Sequence, residues 1–425
     1  MTAIVGVLNR RGVAFAADSA ATHTSNSGQK ITNHANKIFV LSKYYPVGIA
    51  LYNNLDFMGI PWESVIKMYR DDLKKGNHPT LDDYIKSFWA YIKKNCLGQL
   101  KSDQLQNMQL IATNYQNEVN NYALQQIGGA ITPANENQFF QHYSTKLDEF
   151  KTAFQQSKAD DYKTYKTTEF KKYAKAAIDV ALSNLLAMQN CPADLRSKFE
   201  ESLFAWLCHT SHNYFNYTGL VFFGFGEKEL FPSYKEYKVS IAIDNRIKYV
   251  LDSTYEISNS INRRAVIAPF AQSDVTNTVI RAVEDDLRQH FYDDNKTVIQ
   301  GFRDEIVAQL TQAGAPQQLV DILNALDVEK YATDYKKGMD DYIQSHYIDS
   351  LIETVAYLSK EDLADIAESL VRMTCIKRHV TSSLETVGGP VDVAVITKGD
   401  GFIWMKRKHY FDPKLNPQFF ERYNK

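Results

Sequence analysis

The amino-acid sequence predicts an α+β protein in which β-rich segments alternate along the chain with two long helical blocks. Short apolar runs separated by turn residues fill the first 55 or so of the 425 residues. Apolar residues recur at helical spacing from Trp62 to about residue 212, and again from about Val275 to Arg378. Strand-like runs return between these blocks and after the second one.

The first β-rich segment predicts four strands, and a hairpin joins the first two. The polar stretch 19–36, rich in Ser, Thr and Asn, predicts a loop between the second and third strands. The four predicted strands cover residues 2–8, 13–17, 37–41 and 47–51.

Turn residues, helix caps and apolar runs also predict the elements of the later segments. A break at Gly314-Ala315-Pro316 divides the second helical block, and Ser359 is placed to cap a helix with Glu361 in its first turn. The Lys-, Asp- and Tyr-rich stretch 146–175 is interpreted as a solvated helical insertion. Further strands are predicted at residues 218–226, 237–243, 247–251, 265–268, 391–397 and 402–405.

Composition excludes several classes of function. Lys and Arg total 48 against 50 Asp and Glu, so there is no basic surplus to attract nucleic acid or a membrane surface. No apolar run approaches the roughly 20 residues that span a bilayer, and we expect a cytoplasmic protein. The four cysteines form no Cys-x-x-Cys pair, and His209 and His212 match no metal motif, so neither a metal nor another cofactor is predicted.

Thr2 is the most informative residue for chemistry. Removal of Met1 would leave a threonine whose hydroxyl is a nucleophile and whose α-amine, with an ordinary pKa of roughly 7.7 to 8.0, is a base. Such a centre needs a nearby cation to lower the pKa of the amine, and a carboxylate to hold that cation. Lys37 and Asp18 are the candidates for those two roles.

The same segment resembles the β-type subunits of proteasomes, which are N-terminal-nucleophile (Ntn) hydrolases. The resemblance rests on Thr2 with the following Ala-Ile-Val-Gly-Val, on residues 12–22 with their Ala-Ala-Asp-Ser motif, and on Asn36-Lys37-Ile-Phe. Residues 47–56 also match, as does an amphipathic helix at 360–378 leading into residues 388–401. About half of the chain is covered when the weaker similarity of residues 220–282 is included.

The resemblance implies a four-layer αββα sandwich with helical insertions, and a threonine-type peptidase or amide hydrolase. Thr2, Asp18 and Lys37 would form its catalytic centre. Thr22 and the backbone from Ala50 to Asn54 would bind an extended peptide or amide substrate, and a backbone N–H near Tyr52 would stabilise the oxyanion.

The resemblance also implies a division of the chain. The core would comprise residues 1–61, 213–284 and 359–425, with helical insertions at 62–212, which would include one core helix, and at 285–358. Family members stack into rings through their helices, so a homo-oligomer is compatible with the resemblance, but large insertions leave ring, dimer and monomer open.

A second interpretation is a catalytically inactive, proteasome-like scaffold or interaction subunit. Tyr52-Asn53 stands where the family carries Gly-Gly, and the loop 381–387 contains no Asp-x-x-Ser to support the threonine. Ser383 or Glu385 are the candidates to replace that support. In this interpretation the helical insertions make the contacts with partners.

Overall fold

The chain folds into antiparallel sheets with many helices, as an α+β protein, and it divides into two compact units. The first unit comprises residues 1–38, 230–233 and 256–425, and the second comprises 39–229 and 234–255. No helix among the described residues is long and apolar enough to cross a membrane. A computed structural model describes residues 2–25, 28–211, 215–381, 387–409, 411–418 and 421.

A five-stranded antiparallel sheet forms the centre of the first unit, in the order β12-β1-β2-β13-β14. Its strands β1 and β2 are buried along their whole length, which agrees with their uninterrupted apolar sequence. The strands are β1 (Ala3–Asn9), β2 (Gly12–Ala17), β12 (Ala265–Ala271), β13 (Asp392–Thr397) and β14 (Gly401–Lys406).

Helix α12 (Lys360–Val380) buries Leu363, Ala367 and Val371 against this sheet. It begins with a capping box in which Ser359 accepts from the backbone N–H of Asp362 and the Asp362 carboxylate accepts in return. The other helices of the unit are α7 (Asp274–Arg281), α8 (Asp285–Gln312), α9 (Gln317–Asn324), α10 (Val328–Ile343) and α11 (Asp349–Val355). The predicted break at residues 314–316 is confirmed, since α8 ends before it and α9 begins after it.

The polar stretch 19–36 is not a simple loop, and that expectation was wrong. It contains β3 (Ala21–Ser25) and β4 (Gly28–Thr32), which pair with each other as a two-stranded antiparallel sheet. The hairpin pairs with neither of the larger sheets. Its sequence therefore does not need the alternation of apolar and polar residues that marks a half-buried strand, and without that pattern the two strands were not predicted.

A second five-stranded sheet belongs to the second unit, in the order β11-β10-β9-β6-β5. Its apolar face packs against α1 (Trp62–Leu73) and α2 (Leu81–Asn95), with Trp62, Phe88 and Phe222 in the shared core. The strands are β5 (Ile38–Val40), β6 (Val47–Asn53), β9 (Thr218–Gly224), β10 (Ser233–Ile243) and β11 (Arg246–Glu256); the short β7 (Asp56–Phe57) and β8 (Ile60–Pro61) pair separately.

Four more helices in this unit form a core of their own: α3 (Lys101–Gln126), α4 (Glu136–Phe154), α5 (Thr167–Leu186) and α6 (Leu195–Cys208). Residues 146–175 are helical for most of their length, as predicted, but the interpretation that they are solvated was wrong. The stretch spans parts of α4 and α5, and Tyr162, Tyr165 and Phe170 are buried in this core. The lysines around them hid the apolar contribution of the tyrosine rings.

Candidate active site at the start of β1

Asp18 and Lys37 form a buried ion pair in the first unit. Lys37 Nζ donates to Asp18 Oδ1 at 2.7 Å, and each residue is only 1% exposed. Asp18 follows the last residue of β2 and Lys37 precedes β5, so both lie where a strand meets a connecting segment. The pairing that the sequence predicts for these two side chains is therefore present.

The Asp18 carboxylate also binds three backbone N–H groups. Ala3 donates to Oδ1 at 2.9 Å, while Ala20 and Gly388 donate to Oδ2, each at 3.1 Å. Charge-assisted hydrogen bonds of this kind fix the position of a carboxylate. Because Ala3 immediately follows Thr2, Asp18 connects the Lys37 ammonium to the backbone at the start of β1.

Thr2 is 5% exposed, and its carbonyl accepts from Gln272 N at 3.2 Å. The Gln272 side chain in turn accepts from Arg378 Nε at 2.7 Å, and Arg378 also donates to Asp274 Oδ1 at 2.9 Å. Residues just after β12 and near the end of α12 therefore hold the backbone beside Thr2. Sequence analysis missed this support, because Gln272, Asp274 and Arg378 share no motif.

A second, largely buried ion pair lies beside the first. Asp392, the first residue of β13, pairs in register with Ala17 and binds Lys408 through its side chain. Its Oδ1 also accepts from Lys408 N at 2.8 Å. The sequence offered a weak signal for this pair, an acidic residue opening a buried strand, but nothing marked Lys408 as its partner.

Burial is the main cause of the shifted pKa values of Lys37 and Cys375. Removal from water lowers the pKa of Lys37, and this effect outweighs the attraction of Asp18, while the charge of Lys408 lowers it further. Burial, with the charge of Asp18 adding to it, raises the pKa of the nearby Cys375 thiol to about 11. Cys375 is therefore a neutral neighbour of the pair at pH 7.

The other predicted substrate-binding positions fall in two places. Thr22 lies in β3, where its backbone pairs with Ile31, and its side chain is outside the described residues. Ala50, Tyr52 and Asn54 belong to the second unit, where Ala50 pairs with Val221 across β6 and β9.

Tyr52 has a structural role within its own unit. Its ring covers Gly219 on the neighbouring strand, where an added Cβ would lie 2.0 Å from the ring atoms. Its hydroxyl donates to the buried Glu236 carboxylate. Asn53, next along β6, has a φ of 69°, in the left-handed region that glycine and asparagine adopt most readily.

Asn54 lines a cavity of about 510 Å³ in the second unit, together with residues of α3. Its carbonyl accepts from Thr218 Oγ1 at 2.8 Å, and Trp62 Nε1 donates to the same hydroxyl at 2.9 Å. This hydrogen-bonded chain fixes the segment that follows β6.

Three residues weighed from the sequence lie outside the described residues: His212, Ser383 and Glu385. His209 follows α6, where it is half-buried, and burial lowers its pKa. Within the described parts of the chain, no three His, Cys, Asp or Glu side chains are grouped as a metal site would require.

No family model matches the chain, and no curated protein is significantly similar to it in sequence. The chemistry of the site therefore has to be argued from its own geometry.

Proposed function

We propose that the protein is a threonine-type amide hydrolase, most simply a peptidase, whose nucleophile is Thr2 after removal of Met1. One observation carries the proposal: a single carboxylate oxygen of Asp18 binds both the buried Lys37 ammonium and the backbone N–H next to Thr2. A cation held this close to an N-terminal residue is what an amine acting as a base at neutral pH requires.

The proposed reaction proceeds through an ester intermediate. Thr2 Oγ1 attacks the carbonyl carbon of the amide, and the Thr2 amine accepts the hydroxyl proton, directly or through water. The carbon–nitrogen bond then breaks, and the proton passes from the Thr2 amine to the departing nitrogen. Water hydrolyses the ester, with the same amine as the base, and the hydroxyl of Thr2 is restored.

Lys37 and Asp18 would act through electrostatics. The positive charge of Lys37 disfavours protonation of a neighbouring amine, which lowers the pKa of the Thr2 amine and keeps more of it neutral near pH 7. Asp18 holds Lys37 in place, and its three backbone donors prevent the carboxylate from rotating away. The arrangement supports a centre prepared before substrate binds.

The fold is compatible with the proposed family. Two five-stranded sheets, each with its own helices packed against it, are the components that a four-layer αββα Ntn-hydrolase sandwich needs. At the proposed oxyanion segment, Asn53 adopts a left-handed conformation at a position where the family carries glycine. We propose that the backbone from Ala50 to Asn54 and Thr22 bind an extended peptide, as the resemblance implies.

The test begins with the intact mass of the protein from its native host, followed by incubation with an epoxyketone or β-lactone probe selective for N-terminal threonine. We expect a chain lacking Met1 that gains one probe mass, mapped to Thr2 by peptide sequencing. Thr2→Ala should abolish labelling, and Lys37→Met should slow it at least 100-fold. The control Thr354→Ala, at an exposed helical threonine of the same unit, should label at the normal rate.

The alternative, an inactive scaffold, predicts a different result. A chain that keeps Met1 has no free threonine amine, and a chain that loses Met1 yet never reacts has no working nucleophile. Either result would reject the hydrolase. The absence of an Asp-x-x-Ser sequence in residues 381–387 is the observation that favours this alternative.

A further inference from the structure

A cavity of about 280 Å³ lies in the first unit at the turn between β1 and β2. It is lined by Arg10, Arg11, Arg264, Ala356 and Tyr357. Strand β1 runs from Ala3 to Asn9, so at about 3.3 Å per residue this turn is about 20 Å from the end that carries Thr2. The cavity is thus separate from the candidate active site.

Strand register brings the arginines together. Asn9 pairs with Ala265, so the turn residues Arg10 and Arg11 lie next to Arg264, which immediately precedes β12. Three arginines from two distant segments of the chain therefore line one small cavity.

These arginines lack acidic partners. In the described residues, no Asp or Glu forms an ion pair with Arg10, Arg11 or Arg264. Several other arginines of the same unit are bound to carboxylates: Arg281 to Asp285, Arg288 to Asp340, Arg372 to Glu368 and Arg378 to Asp274. The cavity concentrates positive charge that the protein does not neutralise.

Asp362 is an acidic side chain close enough to sense this charge. Hydrogen bonds with Ser359 are the main cause of its lowered pKa, and the charge of Arg11 makes a small further contribution. Its carboxylate is already an acceptor for the Ser359 backbone in the capping box. Asp362 is therefore committed to the start of α12.

One donor in the cluster is buried and unsatisfied. Arg264 Nε is inaccessible to solvent and has no hydrogen-bond partner in the described chain. A buried guanidinium N–H without an acceptor is costly. The nearby carbonyls of Val355 and Leu358 accept from the Asn9 side chain instead, at 2.9 and 3.0 Å.

We propose that this cavity binds a small molecule through its phosphate or diphosphate group. Guanidinium groups bind phosphate oxygens bidentately, and the charge of a phosphate matches several arginines better than the single charge of a carboxylate. The bound anion would offset the repulsion among the three side chains, of which Arg264 already has an unsatisfied donor. This binding does not depend on the chemistry proposed for Thr2.

Calorimetric titration of the full chain with inorganic diphosphate, and separately with inorganic phosphate, tests the proposal at constant ionic strength. We expect saturable binding with one site per chain. Arg11→Gln and Arg264→Gln should each weaken binding at least tenfold. Arg263→Gln removes the same charge from an exposed neighbour that does not line the cavity, and should change the affinity less than threefold.

A second measurement uses the unmodified chain, so it tests the proposal even if one of the variants does not fold. Diphosphate should protect Arg11 and Arg264 of the unmodified chain from phenylglyoxal, as mapped by peptide mass, and should leave Arg263 reactive. The proposal is overturned if neither anion binds, if Arg263→Gln weakens binding as much as Arg264→Gln, or if hexaglutamate binds where diphosphate does not. The last result would identify an acidic peptide as the ligand.

Discussion

Lys37 donates to Asp18 at 2.7 Å in a site where neither side chain has appreciable contact with solvent. Two opposite charges attract strongly in such surroundings, but each has also lost its hydration. Three backbone N–H groups supply part of what Asp18 has lost, whereas Lys37 has Asp18 as its hydrogen-bond acceptor. The pair is therefore asymmetric, because Lys37 depends on Asp18 more than Asp18 depends on Lys37.

Because of this asymmetry, we expect substitutions of Asp18 and Lys37 to destabilise the protein to different extents. Asp18→Asn should lower the free energy of unfolding by about 3 to 5 kcal/mol, because it leaves the Lys37 ammonium buried without a counter-charge. Lys37→Met should cost less, and the double variant should cost less than the sum of the two single variants. Urea unfolding followed by circular dichroism measures all three.

The control for this series is Lys360→Met, which breaks the exposed pair between Lys360 and Asp400 in the same unit. Its effect should stay below about 1 kcal/mol. If Asp18→Asn were no more harmful than this control, the buried pair would contribute nothing to folding.

Sequence patterns predicted the elements that are buried along a continuous run. Strands β1, β2 and β13 are confirmed to within about two residues, because the interior of each is a run of apolar residues. The connection between Asp18 and Gly388 could not be predicted this way, since a side chain binding a backbone N–H 370 residues away leaves no periodic trace. It stays a prediction that Thr2, Asp18 and Lys37 are catalytic. The boundaries of the proposed core and insertions stay predictions as well.

The arginine cavity could not be predicted from sequence patterns either. The turn residues Arg10 and Arg11 are visible in the sequence, but their approach to Arg264 depends on the register of β1 with β12. Register between strands separated by more than 250 residues is set by packing of the sheet, which a single sequence does not encode locally.

Gly389 gives the second prediction. Its φ is 76°, and an added Cβ would lie 3.0 Å from the Cβ of Asn33, so the position is both left-handed and tightly packed. Gly389→Ala should reduce the free energy of unfolding by about 1 to 3 kcal/mol. Gly399→Ala is the matched control, because a Cβ there meets no atom within 4 Å. Equal effects of the two substitutions in thermal unfolding would contradict the strain argument.

The third prediction concerns Tyr52. Its hydroxyl donates to Glu236, whose other carboxylate oxygen accepts from Ser253 Oγ at 2.6 Å. Tyr52→Phe keeps the ring over Gly219 but leaves the buried carboxylate one donor short, so it should cost about 1 to 3 kcal/mol.

Tyr45→Phe is the control for Tyr52→Phe, since the Tyr45 hydroxyl makes an exposed hydrogen bond to Lys75 O at 3.3 Å. It should change the free energy of unfolding by less than about 0.5 kcal/mol. A Tyr52→Phe chain as stable as the Tyr45→Phe chain would show that Glu236 does not need the tyrosine.

The fourth prediction is a pH dependence that originates at Lys248, a residue of β11 with no exposure to solvent. Its Nζ donates to Leu207 O at 2.8 Å and lies 4.8 Å from the centre of the Phe215 ring. Burial lowers the pKa of Lys248 to about 7, whereas an unfolded lysine titrates near 10.5. Between these two values the unfolded chain binds more protons than the folded chain, so stability rises with pH.

Ionisation of thiols in the unfolded chain acts in the opposite direction. Burial raises the pKa of the neighbouring Cys208 thiol to about 12 and lowers the pKa of His209 below its usual value, so both stay neutral in the folded chain between pH 7 and pH 9. An unfolded cysteine, with a pKa of about 8.5, begins to lose its proton in that range, which lowers stability as the pH rises. Lys248 should contribute an increase of about 2 kcal/mol to the free energy of unfolding between pH 7 and pH 9, and comparison with Lys248→Met isolates it, because the thiol contribution is common to both chains. Lys248→Met removes this increment and should make the chain at least as stable at pH 7, because no charge is left to bury.

Lys238→Met provides the control for Lys248→Met. Lys238 on β10 pairs with Asp252 at 2.8 Å and has a raised pKa, so its contribution to stability is constant from pH 7 to pH 9 and is lost only at higher pH. Urea unfolding at pH 7, 8 and 9 should give parallel curves for the unmodified and Lys238→Met chains, whereas the change between pH 7 and pH 9 should be about 2 kcal/mol less favourable for Lys248→Met. Three parallel curves would mean that Lys248 keeps an ordinary pKa despite its burial.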